Sequence, residues 1–256
     1  MRIFVVPRQL TVRLAVVAAL VAASFLYVGI MGADTAVFGT PDNDLPIYNV
    51  ATQEKKVALT FDAAWGANTT DAIIDILQGE DIYCTFFLVG FWIDRYQAEV
   101  CALAGAGHEI ANHSNTHAHM KGMSPKDIEE EVRLCNDKIT ALTGEPVDLF
   151  RPPYGEYDAT VVRTCRAMGV HVVQWDVDSL DWMGLSASEM TRRILDRVKP
   201  GSIILMHMNG EHTIEALPGI IRGIKEKGFE FVTISELIAK ENYWIDHAGT
   251  QHVNEP

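Results

Sequence analysis

The chain has 256 residues, 48% of them hydrophobic and 21% charged, with a formal net charge of −13. That composition supports one well-buried domain and excludes a disordered or repetitive protein. The first 33 residues carry Arg2, Arg8 and Arg13 as their only charges, so the remainder stands at −16. Such a body repels nucleic acid, which is therefore excluded as a partner, while neutral or cationic glycans meet no penalty.

From Leu14 to Gly32 runs an uncharged stretch, LAVVAALVAASFLYVGIMG. At helical rise it spans about 28 Å, close to a bilayer core. Three arginines precede it and no cation follows closely, so residues 1–33 read as a cytoplasmic tip and a transmembrane signal anchor, with the body extracytoplasmic. A cleaved signal peptide is the rival reading. It lacks a good small-x-small site, because a cut after Ala33 puts Met31 at the third position back and a cut after Ala36 puts Asp34 there. Residues 34–54, polar and containing Pro41 and Pro46, read as a linker, 55–238 as the folded domain and 239–256 as a C-terminal tail.

Within the domain, short apolar runs alternate with segments of helical period. The expected strands are VALTF (57–61), CTFFLV (84–89), HEIAN (108–112), DLF (148–150), HVVQW (171–175), SIILM (202–206) and FEFVT (229–233). After Ser124-Pro125, residues Ile128, Val132, Cys135, Ile139 and Leu142 recur at intervals of four and three, the period of an amphipathic helix. Ser124 suits its cap and Pro125 its first turn. Ser188 is expected to open a second such helix carrying Met190, Ile194 and Val198, and Gly169 and Gly228 to close helices before strands. Repeated strand–helix units imply an α/β fold with about seven parallel strands closed, or nearly closed, into a barrel. An open doubly wound sheet is the alternative, but no G-x-G-x-x-G follows the first strand. Cys84, Cys101, Cys135 and Cys165 form no C-x-x-C pair, which excludes a zinc ribbon, and they read as buried small hydrophobes.

Asp62, His113, Arg151, Asp176 and His207 each directly follow an expected strand, so in a barrel all five meet at the C-terminal rim where such folds carry their chemistry. His113 and His117 in HSNTH are spaced for one side of a helical turn and suit a divalent metal such as zinc. An H-E-x-x-H protease is excluded, since Ser114 stands where the glutamate base would be. His119 is a nearby substitute ligand or a surface residue. Asp62 is placed to take a proton from an attacking water, and Arg151 to keep that carboxylate ionised. Pro152 and Pro153 stiffen a loop that suits a backbone N–H, such as that of Tyr154, aimed at an oxyanion. His207 suits protonation of a leaving amine, with Asp178 or Asp181 holding its ring. Trp65 and Trp182 are available for a sugar face or for packing beneath loops, and Trp182 reads as pocket wall.

In order, TFDAAWG, HSNTH, RPPYG, DSLDW and LMH resemble the five motifs of the polysaccharide deacetylase (NodB-homology, carbohydrate esterase family 4) family, over about residues 55–238. TFDAAWG together with the apolar N-terminus is similar to the family's sporulation-associated branch. The resemblance implies a distorted (β/α) barrel and metal-dependent removal of N-acetyl groups from N-acetylglucosamine or N-acetylmuramic acid units of peptidoglycan, or from chitin-like chains. It implies Asp62 as base, Arg151 as its partner, His207 as acid and Asp181 as the acid's partner. His113 and His117 correspond to ligands of zinc, cobalt or another divalent ion, Trp182 to the pocket wall and Leu205 to the acetyl pocket. One departure stands out: the family's second aspartate, a third metal ligand, is Ala63 here. A glycan-binding pseudoenzyme and a hydrolase of a small non-carbohydrate amide are therefore competing expectations.

Overall fold

The computed structural model describes residues 44–254, so the expected anchor and the start of the linker lie outside the described residues. Among the described residues no helix is long and apolar enough to cross a membrane. The chain enters through β1 (Asn49–Val50) and then builds the sheet from β2 (Lys56–Ala63), β3 (Thr85–Leu88), β4 (Glu109–Asn112), β5 (Leu149–Phe150), β6 (His171–Val172), β7 (Val177–Asp178) and β8 (Ile203–His207). These seven strands from β2 to β8 lie in the order β6-β5-β4-β3-β2-β8-β7, all parallel, and β9 (Glu230–Phe231) joins beside the start of β2.

Helices α1 (Thr70–Gly79), α2 (Gly90–Arg95), α3 (Gln97–Gly105), α4 (Pro125–Thr143), α5 (Ala159–Ala167), α6 (Ala187–Arg197) and α7 (Thr213–Glu226) fill the crossovers, with α8 (Ile234–Leu237) after β9. Ser124 caps α4 as its sequence suggests, accepting from the Asp127 N–H at 3.3 Å. Helix α6 starts earlier than expected. Ser186, not Ser188, is the cap, because Glu189 lies three residues on and completes a reciprocal capping box.

Strand alternation sorts the core into two layers. Val57, Leu59 and Phe61 of β2 and Ile204 and Met206 of β8 face the helices, while Ala58 of β2, Phe87 of β3, Ala111 of β4, Leu149 of β5 and Ile203 of β8 share the inner cluster. The inner face is apolar at the start of the strands and polar at their ends, where Thr60 and Asp62 continue the inward set of β2 and His207 that of β8.

The barrel is open between its edge strands β6 and β7, which only residues 173–176 connect. The incoming chain crosses this gap: the Ile47 N–H donates to the Val172 carbonyl at 2.9 Å and the Gln174 N–H to the Ile47 carbonyl at 2.7 Å, while the Val50 N–H reaches the Gly201 carbonyl at 3.0 Å. Residues 44–54, read as linker, thus serve as a closing strap. The C-terminal segment is likewise no loose tail: β10 (Tyr243–Ile245) and β11 (Thr250–Val253) pair antiparallel, and β11 pairs parallel with β1. All four cysteines are free; three are buried as expected, and Cys101 is exposed on α3.

At the strap crossing, Gly201 has φ +79° and a Cβ there would lie 1.9 Å from the Val50 carbonyl oxygen. Gly201→Ala therefore combines left-handed strain with a backbone clash. We expect a loss of about 2–4 kcal/mol, read as a lower denaturant midpoint at unchanged slope; an unchanged midpoint would show that the strap does not hold the gap.

Candidate active site

At the C-terminal end of the sheet lies a cavity of about 630 Å³ lined by Asp62, His113, His117, Tyr154, Asp181, Trp182, Leu205 and His207, together with Trp65, Trp175, Asp178 and Glu211. Most of the site residues expected from sequence line it; Arg151, His119 and Asp176 do not.

Arg151 is fully buried. One terminal nitrogen donates to Asp62 Oδ1 at 2.7 Å and Thr60 Oγ1 at 2.9 Å, the other to the Gln174 carbonyl at 3.1 Å. The guanidinium lies 4.0 Å from the Phe87 ring centroid. Burial alone would raise the Asp62 pKa, but the charge of Arg151, with His113 and His207, holds it below the usual carboxylate range. Asp62 is therefore an ionised acceptor throughout the neutral range.

His207 pairs in register with Asp62 on the adjacent strand. Its Nδ1 donates to Asp181 Oδ1 at 2.7 Å, leaving Nε2 as the nitrogen with which to exchange a proton. Burial opposes the imidazolium, yet the hydrogen bond and charge of Asp181, with Asp62 and Asp178 adding attraction, hold the pKa above its ordinary value. Of the two candidate partners the structure selects Asp181. Asp178 instead accepts the Leu180 N–H at 2.8 Å and contributes only charge.

The HSNTH segment is an irregular loop, not the expected helical turn, because Ser114 and His117 adopt φ +69° and +56°. It is pinned by the Ser114 N–H to Asn112 Oδ1 at 2.7 Å and the His117 N–H to Ser114 Oγ at 2.9 Å. The two imidazoles still approach, with centroids 5.0 Å apart. His113 Nδ1 meets the Arg151 carbonyl at 2.8 Å, which fixes its tautomer and leaves the Nε2 lone pair available. Burial lowers the pKa of both rings, that of His117 to about 4, so both are neutral donors, and the buried His117 Nδ1 has no partner among the described residues. This donor chemistry fits a divalent metal held through His113 and His117. It does not supply a third protein ligand. Ala63 packs with Phe61 in the helix-side core while Ala64 takes the place on the cavity wall, and among the described residues no group of three or more His, Cys, Asp or Glu side chains is arranged to hold a metal.

Tyr154 adopts φ +59°, and its N–H takes no protein acceptor among the described residues. The loop is held by Gln174 Nε2, which donates to the Gly155 carbonyl at 3.0 Å. Its ring stacks on His119, which turns outward to Glu156 at 2.8 Å and so behaves as a surface residue. Trp182 and Trp65 are 62% and 54% exposed at the rim, free to meet a flat apolar ligand face, and Leu205 closes the floor.

Asp176 does not belong to the site. It accepts the Ile203 N–H at 2.9 Å and the Ser202 hydroxyl at 3.1 Å, at the opposite end of β8. The reason is β7: HVVQW is no single strand, so Asp176 precedes a strand instead of following one. Sequence reasoning missed Thr60, Gln174 and Thr213, whose contacts hold the charged groups. Threonine in an apolar run reads simply as a strand former.

A family model for polysaccharide deacetylase matches residues 49–173. A peptidoglycan-N-acetylglucosamine deacetylase of Bacillus cereus is 33% identical over 186 residues, 71% of this chain and 68% of that protein. The chain belongs to the polysaccharide deacetylase family. It is also 32% identical over 193 residues to the uncharacterized protein YlxY of Bacillus subtilis, which covers 75% of this chain but only 60% of that relative's length. Among solved structures, BA3943 of Bacillus anthracis, described as a CE4 family pseudoenzyme, superposes with a TM-score of 0.73 at 32% identity, over 82% of this chain and 73% of that one. The deacetylase fold thus carries both the opposed Asp62–Arg151 and His207–Asp181 pairs and a first motif with alanine in it.

Arg151→Met leaves Asp62 buried without its counter-charge. The expected cost is about 3–5 kcal/mol at neutral pH, measured by chemical denaturation. Because the folded Asp62 pKa is depressed, the pair stabilises above the ordinary carboxylate range and its contribution disappears as pH falls through the folded value. The deficit of the variant should shrink in acid, and a deficit independent of pH would locate the role of Arg151 in packing alone.

Proposed function

We propose that this chain hydrolyses N-acetyl groups of a cell-wall polysaccharide, the N-acetylglucosamine or N-acetylmuramic acid units of peptidoglycan or a chitin-like chain. The carrying observation is the pairing of Asp62 and His207 in register on neighbouring strands, one held ionised by Arg151 and the other raised in pKa by Asp181. Environments that drive two adjacent pKa values apart define a base and an acid. The B. cereus relative named as a peptidoglycan-N-acetylglucosamine deacetylase supports the substrate class. A spore wall is the finer form of this proposal, carried by the TFDAAWG variant.

In this mechanism Asp62 accepts a proton from the water that attacks the acetyl carbonyl. Arg151 fixes the carboxylate and keeps it charged. The Tyr154 N–H donates to the oxyanion as the carbon becomes tetrahedral. His207 then gives its Nε2 proton to the amine as the C–N bond breaks, releasing acetate and a free amino sugar. Leu205 and Trp182, which line the cavity, are placed to contact the acetyl group. His113 and His117 would hold a divalent ion, zinc or cobalt by donor type, which would supply Lewis-acid polarisation of the reacting oxygens.

A glycan-binding pseudoenzyme is the second reading, favoured by apolar Ala63 and by the description of BA3943. A small-amide hydrolase fits less well with the exposed tryptophans at the rim. We also propose that the apolar stretch over 14–32 anchors the chain with this domain outside the cell; membrane fractionation tests it, and a soluble mature form beginning near Asp34 argues against it.

Acetate release from chitooligosaccharides and peptidoglycan, with and without chelator, separates the readings. Catalysis requires ionised Asp62 and protonated His207, so activity should show an acid limb below the ordinary carboxylate value and an alkaline limb above the ordinary histidine value. Asp62→Asn and His207→Ala should each reduce turnover about 10²- to 10⁴-fold. Asp181→Asn should move the alkaline limb to lower pH. Folded protein that binds these glycans and releases no acetate under any condition would establish the pseudoenzyme.

A further inference from the structure

Asp181 is 2% exposed and accepts three hydrogen bonds: Oδ1 from His207 Nδ1 at 2.7 Å, Oδ2 from the His207 backbone N–H at 2.6 Å and from Thr213 Oγ1 at 3.0 Å. Thr213 is itself fully buried at the first turn of α7. Its single hydroxyl proton has two acceptors in reach, Asp181 Oδ2 and, at 3.2 Å, the His207 carbonyl. The carboxylate is both nearer and charged, so it takes the proton. The approach depends on Gly210, where a Cβ would lie 2.3 Å from Thr213 Oγ1 and 3.0 Å from Asp181 Cβ and Cγ. Helix α7 is thus docked against the carboxylate at a point where no larger residue fits.

We infer that Thr213 is a positioning residue of the acid pair, locking the Asp181 carboxylate and drawing off part of its charge so that His207 is oriented and still able to release its proton. This rests on the hydrolase reading for its consequence in turnover, but the hydrogen bond itself stands apart from any substrate. A carboxylate with three donors pulls less strongly on an imidazolium than one with two, because the hydroxyl dipole presents its positive end to both charges. Losing the hydroxyl leaves Asp181 a stronger and looser acceptor, and His207 becomes a weaker acid in a less defined orientation. The other groups facing His207 are Asp62 at the end of β2, Asp178 at the end of β7, and His113 and His117 on the β4 loop, with Glu211 on the same cavity wall. The substitution leaves all of them in place.

The test compares Thr213→Val, which keeps the branched shape, with Thr213→Ser, which keeps the hydroxyl. The His207 pKa is followed by NMR titration of its ring signals in folded protein, and acetate release on chitooligosaccharide gives kcat and KM. In Thr213→Val the His207 pKa should rise by about 0.3–0.7 unit and kcat should fall about three- to tenfold with KM little changed. Thr213→Ser should restore both. An unchanged His207 pKa in Thr213→Val, or a Ser variant no better than Val, would overturn the inference and leave Thr213 as packing. Absence of acetate release from wild type would count against the hydrolase reading alone, since the NMR shift decides the role of Thr213 without turnover.

Discussion

The buried guanidinium of Arg151 is the constraint on which the site depends. A cation with no access to water must find acceptors within the protein, and here there are three: Thr60 and Asp62 on β2 and the Gln174 carbonyl after β6. Its backbone extends the reach, since the Arg151 N–H bonds the Asn112 carbonyl and the Arg151 carbonyl meets the His113 ring. Asp62, His113 and the loop after β4 are therefore fixed to one residue. Displacing any of them leaves a charge or a polar atom stranded where burial makes that expensive. The same arrangement explains why Asp62 is ionised although it has almost no contact with solvent.

On the other side of the cavity the logic is reversed. His207 is more exposed than Asp62 and faces carboxylates instead of a guanidinium, which hold its pKa above the ordinary histidine value. Strand register places these two environments next to each other, and the alternation of β2 and β8 turns both side chains inward. A parallel sheet whose strand ends all point one way thus converts a difference of neighbours into a carboxylate of lowered pKa beside an imidazole of raised pKa.

The strands and most of the site were legible because both leave local marks. Short apolar runs mark β2, β3, β4 and β8, and β2, β4 and β8 lead into Asp62, His113 and His207, polar residues that stand out at the ends of such runs. What stayed hidden depends on pairing between distant segments. Strands β1, β10 and β11 are short and ordinary in composition, and only their mutual hydrogen bonds make them a sheet. Strand β7, at two residues, carries too little pattern to announce itself, which is why Asp176 was placed at the wrong end of the barrel. The left-handed turns in HSNTH were invisible for a different reason. Histidine spacing suggests a helix equally well, and only the Asn112 and Ser114 side-chain bonds decide against it.

Ala63 gains meaning from its surroundings. In a site whose first motif has lost an aspartate, decay of the remaining machinery would be expected to follow, since a buried ion pair without function is difficult to keep: replacing it with apolar residues is often neutral or stabilising. Here the Asp62–Arg151 pair is complete, and the His207–Asp181 pair retains both carboxylate contacts together with the threonine and glycine that shape them. Ala63 packs beside Phe61 in the helix-side core, and the cavity beside it stays open. An acid and a base held with opposite pKa shifts on adjacent strands form an arrangement that glycan binding alone does not require. The chemistry of the two pairs therefore weighs toward hydrolysis and against a site that only binds.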